Sequence, residues 1–364
     1  YRPSEIVLGR GGERHPLEAV VHELQRITGA APILLGDEGD RAFVDALLDS
    51  EPNRLGRGFR DALFRQTRGH ALFTVELLRG LKEQGMVARD DEGRWIRAPG
   101  LTWGFMPARV EGVIAERVGR LSPLLRRVLT VASLEGEEFT AEAIAPLVGL
   151  EPAEFIRLLS DELDRRHHLV TARGFQRRDA GRLSRYRFRH FLFQKYLSDR
   201  LDPVERAVLH EGLGRALEKL HGDDRGTAAV ELARHFEAAG LVEKAVGYRR
   251  VSGDRAGRAS AYEEAGSHYR RALELLGGQP EGRERARAEL ELQIALTTTL
   301  FVSRGYGVPE ASRTLLRARE LADLVGDMPR RIGLAAMQCG RLWCRAEHRA
   351  SYEAGQECLR LAEE

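Results

Sequence analysis

Lysine is scarce in this chain, and its scarcity excludes one large class of nucleotide-binding site. Among the 57 basic residues only four are lysines, and none of the four follows a glycine. The phosphate-binding loop of P-loop ATPases needs a Gly-Lys pair, so the sequence contains no such loop. The His-Glu-x-x-His pattern of zinc proteases and the Gly-x-Ser-x-Gly turn of serine hydrolases are absent too. The sequence therefore does not predict an enzyme that is complete within this chain.

Cysteines and long apolar runs are also few. The three cysteines, Cys339, Cys344 and Cys358, match neither a zinc-binding pattern nor a disulfide framework. This predicts reduced thiols in the core of a cytosolic protein. No apolar run approaches the ~20 residues of a membrane-spanning helix, and no secretory signal peptide is visible. We therefore expect a cytoplasmic protein that has no contact with a membrane.

The composition is that of a globular protein without a strong charge of either sign. The 364 residues suffice for two or three domains, with 43% hydrophobic and 31% charged residues. The formal net charge of +2 gives no overall attraction to nucleic acid or membrane. The chain opens on Tyr1 rather than Met and ends within a helical pattern at Glu364. We expect it to be a piece of a longer protein.

Short strands and amphipathic helices alternate in residues 1–98. In the first part of this segment we expect the end of a strand at 1–4, a strand at 33–35 and a helix capped by Asp40. A further helix is predicted at 70–84. Its core-facing residues should be four apolar ones: Leu72, Val75, Leu78 and Leu81. The pattern at 86–96 then predicts a β-hairpin.

Helices followed by two strands describe a winged-helix domain in residues 99–202. The predicted helices are one that reaches Leu121, one opened by Ser122-Pro123, a short one after Thr140 and one at 154–166. The two strands are expected at 169–171 and 186–188, around a polar loop rich in arginine. Before them lies an acidic loop for which the sequence shows no partner: Glu135, Glu137 and Glu138.

The second of these strands runs straight into a helix that opens at His190. A histidine at that place can donate a hydrogen bond to a phosphate, and the amides of a helix N-terminus attract anions. The local sequence is equally compatible with a surface histidine that merely begins a helix. The choice between the two readings depends on the rest of the chain.

Residues 203–364 show helix pairs only. Small residues recur where the paired helices should meet, an aromatic precedes a turn, and Pro280 and Pro329 follow second helices. These features are typical of tetratricopeptide repeats, although the spacing between the two prolines exceeds the ~34-residue unit. Such repeats stack into a superhelix with a concave binding face.

Taken in order, these segments resemble the STAND class of signal-transducing P-loop ATPases, and most of all the large bacterial regulators in which such an ATPase precedes tetratricopeptide repeats. Residues 1–3 are similar to the end of the sensor 1 strand. Residues 67–78 look like the lid segment usually read Gly-x-Pro-Leu-Phe, and 187–192 like the winged-helix element whose histidine contacts the nucleotide. The resemblance implies a mostly α fold made of three parts: the end of the ATPase core and a helical lid at 1–98, a winged helix at 99–202, and an α-solenoid of TPR-like helix pairs at 203–364.

The resemblance implies nucleotide-binding roles, in the full-length protein, for five residues: Arg2, Gly69, His70, Ala71 and His190. Arg2 would be the sensor 1 arginine, whose guanidinium fork can read a terminal phosphate. Gly69 would let the backbone approach the adenine. The proline of the family is Ala71 here, so the lid offers a less rigid platform. His190 would hold the diphosphate in the closed, ADP-bound state.

The implied mechanism is a switch with ADP or ATP and magnesium as its cofactors. ADP would favour a closed form by bridging the nucleotide core, the lid and the winged helix. A protein or small-molecule inducer on the TPR-like surface would favour the open form, in which exchange for ATP allows homo-oligomerisation. The parent protein would be a slow ATPase, and we expect no cofactor in this piece alone.

Two other functions remain open on the sequence. The chain could be a non-enzymatic TPR scaffold that binds a partner protein, or a DNA-binding regulator that uses the winged helix. The short helix after Thr140 offers Glu142 and almost no basic group for base edges, which argues against direct reading of DNA. The two strands and their loop also form a basic wing made of seven arginines: Arg173, Arg177, Arg178, Arg182, Arg185, Arg187 and Arg189. This wing could meet nucleic-acid phosphate, a bound nucleotide or the preceding domain.

Overall fold

The structure, a computed structural model, describes residues 41–101, 103, 108–178 and 181–363. Most of these residues are helical, so the prediction of a mostly α fold is confirmed. The chain forms two compact units, the first ending at Glu111 and the second beginning at Gly112. The features predicted in the first forty residues lie outside the described residues: the strands at 1–4 and 33–35, the cap Asp40 and the site residue Arg2.

The first unit packs three helices and a hairpin around an apolar core. Its elements are α1 (Arg41–Asp49), α2 (Arg57–Thr67), α3 (Ala71–Glu83), β1 (Val87–Arg89) and β2 (Trp95–Arg97). The two strands pair antiparallel, with Val87 opposite Arg97, which confirms the predicted hairpin. Val44, Leu63 and Leu81 are fully buried in this core.

The buried face of α3 differs from the predicted one. Leu78 and Leu81 are buried as expected, but Leu72 and Val75 are 44% and 42% exposed, so the prediction was wrong for these two. Leu81 lies nine positions after Leu72, which is about two and a half helical turns, so their side chains point to opposite faces. Phe73 enters the core instead.

The second unit opens with helices around a three-stranded antiparallel sheet. The helices are α4 (Ala108–Gly119), α5 (Pro123–Glu135), α6 (Ala141–Ile144), α7 (Pro152–Leu158) and α8 (Phe191–Asp199), and the strands are β3 (Glu138–Thr140), β4 (Val170–Arg178) and β5 (Gly181–Phe188). The strand order is β3-β5-β4. Phe139 pairs with Tyr186, and its ring centroid lies 5.5 Å from that of Phe188. These aromatic side chains form the centre of the core beneath the sheet.

Two features of this region go beyond the sequence prediction. Strand β3 was not predicted, because Phe139 is its only apolar residue and a three-residue strand leaves no alternation to detect. The helix predicted at 154–166 is confirmed as α7, but it continues as a π-helix over Leu159–Arg166. The Ser122 hydroxyl accepts the Leu125 amide, which confirms the predicted cap of α5.

An array of helices completes the second unit. They are α9 (Pro203–His221), α10 (Ala229–Ala238), α11 (Val242–Arg258), α12 (Tyr262–Gly277), α13 (Arg283–Arg304), α14 (Pro309–Val325), α15 (Met328–Cys344) and α16 (His348–Glu363). Each packs against the next along the chain, so the predicted solenoid-like arrangement is confirmed. Small residues allow this approach. A Cβ added to Gly253 would lie 2.5 Å from the Tyr269 ring, and one on Gly214 would lie 2.8 Å from the Phe236 ring.

All three cysteines lie in the last two helices, α15 and α16. Cys339 and Cys358 are half-buried, but Cys344 is exposed, so the prediction of core thiols was wrong for it. None of the described helices is long and apolar enough to cross a membrane. Within the described ranges, no group of three His, Cys, Asp or Glu side chains is arranged to hold a metal ion.

Candidate functional site

Residues 67–78, named the lid segment here after their resemblance alone, place Gly69, His70 and Ala71 in a tight turn between α2 and α3. Arg68 and Gly69 both have left-handed backbones, with φ of 51° and 69°. The Arg68 amide donates to the Phe64 carbonyl over 2.6 Å, which closes α2. A second left-handed residue in succession favours glycine, because a Cβ is strained in that region. Gly69 therefore has a structural reason to stand in this turn.

The hydroxyl of Thr67 holds the turn from inside. It accepts the Gly69 amide at 3.2 Å and the Thr74 hydroxyl at 2.9 Å, and it donates to the Leu63 carbonyl at 3.0 Å. Thr67 and Thr74 are both buried. All these partners lie within two turns of helix along the chain, so the geometry of the lid turn is local in sequence.

His70 caps α3 and lies beside a small exposed apolar surface. Its backbone is extended, and its ring stacks on Phe73 with centroids 4.3 Å apart. Ala71, Leu72 and Val75 are exposed on the first turn of α3. An apolar surface of this kind can cover the flat face of a base. Gly69 itself is buried, and its amide already donates to Thr67.

His190 caps α8 at the point where β5 ends, as predicted. Its backbone is extended and the residue is half-buried. The Arg189 amide donates to the Leu169 carbonyl at 2.9 Å, and the Arg189 guanidinium reaches Asp164 at 2.7 Å. Phe193, three residues into α8, lies under the Arg117 guanidinium at 5.3 Å from its centroid. The position of His190 is therefore set by residues distant in sequence.

The carboxyl end of α5 carries a buried acid, Glu135, that the sequence reading left without a partner. That reading was wrong, since its carboxylate accepts the Thr140 amide at 2.9 Å and the Thr140 hydroxyl at 2.6 Å. The Arg185 guanidinium lies 3.4 Å from it and donates to the Thr140 hydroxyl oxygen at 2.6 Å. Burial raises the pKa of Glu135 to about 7, although the hydrogen bonds from Thr140 and the charge of Arg185 lower it.

Side chains from two other helices cap the last carbonyls of α5. Gln194 of α8 donates to the Ser133 carbonyl at 2.6 Å. Arg234 of α10 donates to the Leu134 carbonyl at 3.1 Å and to the Glu135 carbonyl. The last four carbonyls of a helix have no partner within it, and a cation there also meets the negative end of the helix dipole.

A buried histidine pair continues from Arg234. Arg234 lies 3.2 Å from Nε2 of His235, and since arginine only donates, Nε2 accepts and the His235 proton sits on Nδ1. That Nδ1 lies 2.9 Å from Nδ1 of His210, which must then accept. Burial, followed by the charge of Arg234, lowers the pKa of His210 to about 4 and that of His235 to about 2. Both rings are therefore neutral at pH 7.

The basic wing is partly neutralised at its base. Arg185 faces Glu135 and Glu231, Arg187 faces Glu137 at 3.9 Å, and Arg189 pairs with Asp164. Further out, Arg182 lies over the exposed ring of Phe175 at 4.6 Å. The sequence alone could show the arginines but not these acids, because each acid comes from a different element.

Comparisons with known proteins give little beyond this geometry. No protein-family model matches the chain. An uncharacterized protein of Rhizobium meliloti (strain 1021) is 32% identical over 137 residues, which cover 38% of this chain and 13% of that protein. A STAND protein with a tetratricopeptide repeat sensor from Pyrococcus horikoshii aligns over 89% of this chain and 54% of its own, at 14% identity and a TM-score of 0.29. The chain thus spans about an eighth of the first protein and about half of the second.

Proposed function

We propose that this chain is the regulatory and sensor part of a cytoplasmic STAND-type ATPase switch, with the end of the ATPase core and a helical lid at 1–98, a winged helix at 99–202 and TPR-like repeats at 203–364. The observation that carries the proposal is the place of His190. It is a half-buried imidazole at the N-terminus of α8, directly after the strand β5. A phosphate is the ligand class that an imidazole and the first-turn amides of a helix favour together.

The order of elements around His190 supports the winged-helix assignment. Helix α5, strand β3, helices α6 and α7, and the hairpin β4–β5 follow one another, and β3 pairs with β5 at the edge of the sheet. This is the arrangement of helices and a two-stranded wing that the sequence pattern describes. Helix α6, which lies before the wing, carries Glu142 and no basic side chain, so direct reading of DNA by that helix is not favoured.

The lid turn supports a contact with the base of the nucleotide. Gly69 and His70 form the turn, and Ala71, Leu72 and Val75 supply the exposed apolar surface beside it. An adenine that packs on this surface would remove apolar area of both the base and the side chains from water, which favours binding. Arg2 would read the terminal phosphate from the ATPase core.

In the proposed switch these residues would bind the nucleotide and orient it. Bound ADP, or ATP with magnesium, would supply the phosphate charge that distinguishes the closed state from the open state. His190 would hold a phosphate oxygen in the closed state, and the lid turn would hold the base. A protein or small-molecule inducer that binds the repeats more tightly in the open state would shift the equilibrium, and the open state would form homo-oligomers.

The test is the ADP content of the intact parent protein after purification. We expect His190→Ala to lower the bound ADP about tenfold or more, because a hydrogen bond to a charged group is lost. His348→Ala is the matched control, since His348 also begins a helix, α16, but is exposed at the far end of the array. An unchanged ADP content in His190→Ala would refute the role of His190.

The scaffold function has one observation in its favour. Trp343 and Tyr352 are 65% and 68% exposed on the last two helices, and exposed aromatic side chains are frequent at protein interfaces. Purification of the intact protein distinguishes the two functions: a scaffold would contain no ADP in either the wild type or the His190→Ala variant.

A further inference from the structure

The carboxyl end of α5 is the point where two otherwise separate helices attach. Gln194 reaches its Ser133 carbonyl from α8, the helix that His190 opens. Arg234 reaches its Leu134 and Glu135 carbonyls from α10, a helix of the array. Three successive carbonyls of one helix end are thus shared between α8 and α10.

We infer that this helix end couples the array to His190, so that a displacement of α10 is transmitted through α5 to α8. The inference deepens the proposed function, on which it rests only for the role of His190 as the nucleotide contact. In the switch described above, α10 would be the helix that reports the state of the repeats to the winged helix.

The guanidinium of Arg234 is well suited to transmit a displacement. The residue as a whole is exposed, but its guanidinium donates to the two carbonyls, and burial lowers the pKa of Arg234. A planar guanidinium that meets two carbonyls has little rotational freedom. If α10 moves, Arg234 must either carry the end of α5 with it or leave two carbonyls without a partner.

A second connection links α10 to β5, the strand that leads to His190. Glu231 of α10 lies 3.6 Å from the Arg185 guanidinium. Arg185 is on β5 and donates to the Thr140 hydroxyl, which in turn donates to Glu135. The ionisable groups that face Glu135 are therefore Arg185 from β5 together with Glu231 and Arg234 from α10, and behind Arg234 lie His235 and His210.

Amide hydrogen exchange in the intact protein tests the coupling without reference to nucleotide. We expect Arg234→Gln to raise exchange rates about tenfold in α8, beyond its first turn, and in β5, because hydrogen bonds from a charged donor are lost. The control is Arg271→Gln, which removes the ion pair of Arg271 with Glu237 on the same helix α10. Faster exchange confined to α10, or equal effects of both variants on α8, would overturn the inference.

Coupling must also act in the reverse direction. Gln194→Leu, which removes the α8 contact with Ser133, should raise exchange in α10. If Arg234→Gln does not fold, Glu231→Gln tests the same inference through the Arg185 connection, with faster exchange in β5 expected and unchanged exchange in β5 against it. Exchange coupling together with an unchanged ADP content in His190→Ala would retain the inference and reject the proposed function.

Discussion

His70 and His190 begin helices in the same way but are held in place by different means. Each has an extended backbone and is followed, three residues later, by a phenylalanine. The turn at His70 is fixed by Thr67 and Thr74, its near neighbours. The surroundings of His190 come from α4, α5, the π-helix and β4.

This difference has a physical consequence for each histidine. A turn held by local contacts keeps its shape whenever the two helices that flank it are formed. A cap held by long-range contacts keeps its place only while several elements remain packed together, and so it responds to events elsewhere in its unit. Of the two, the surroundings of His190 are therefore the ones that respond to a change elsewhere in the unit, whereas the turn at His70 keeps a fixed geometry.

The largest expected effect comes from a core substitution that weakens the packing of the elements around His190. Phe139 is fully buried between Tyr186 and Phe188, and Phe139→Ala should lower the free energy of unfolding of the second unit by about 3–5 kcal/mol. Urea unfolding followed by hydrogen exchange in β5 and α8 measures it. Phe175→Ala, at a wing residue that is 57% exposed, should change the same quantity by less than about 0.5 kcal/mol. Equal losses in the two variants would contradict the assigned core.

The same contrast explains how much the sequence could predict. The lid turn, the hairpin and the cap at Ser122 depend on neighbours in the chain, and the sequence shows their signals. The sequence also shows that a helix begins at His190, but not the distant residues that hold it in place. The role of Glu135 depends on Arg185, and the capping of α5 depends on Arg234, about a hundred residues away. No periodicity connects such positions, because their meeting is a property of the packed fold.

A smaller effect acts only in the unit of His190 and depends on pH. The folded state raises the pKa of Glu135 to about 7 from 4.5, so it binds this proton more tightly than the unfolded state does. The contribution of Glu135 to stability is therefore present below pH 4.5 and is lost as the pH rises through 7. We expect Glu135→Gln to remove this loss. The free energy of unfolding of the variant, relative to that of the wild type, should therefore rise by about 2–3 kcal/mol between pH 4.5 and pH 8.

The histidine pair has the opposite sign and does not disturb this measurement. Its pKa values lie below the ordinary 6.5, so the folded state loses stability as the pH falls from 6.5 toward 4. Both proteins contain the pair, and it cancels in the difference between them. Glu138→Gln, at an exposed residue of β3, is the control and should leave the pH profile of urea unfolding unchanged. Parallel profiles for the wild type and Glu135→Gln would refute the buried-acid assignment.

The smallest expected effect tests whether the turn at Gly69 is held by local contacts alone. Gly69 has φ of 69°, and Gly69→Ala should lower the free energy of unfolding of the first unit by about 1–2 kcal/mol, because an L side chain is strained there. Gly247→Ala is a control of opposite sign: this glycine is exposed within α11, a Cβ there meets nothing within 4 Å, and alanine should stabilise the second unit by about 0.5–1 kcal/mol. Since the strain at Gly69 acts on the turn itself, hydrogen exchange of the Gly69–Thr74 segment should rise in Gly69→Ala while β5 and α8 keep their rates. A rise in β5 and α8 instead would mean that the lid turn is not the local structure described here.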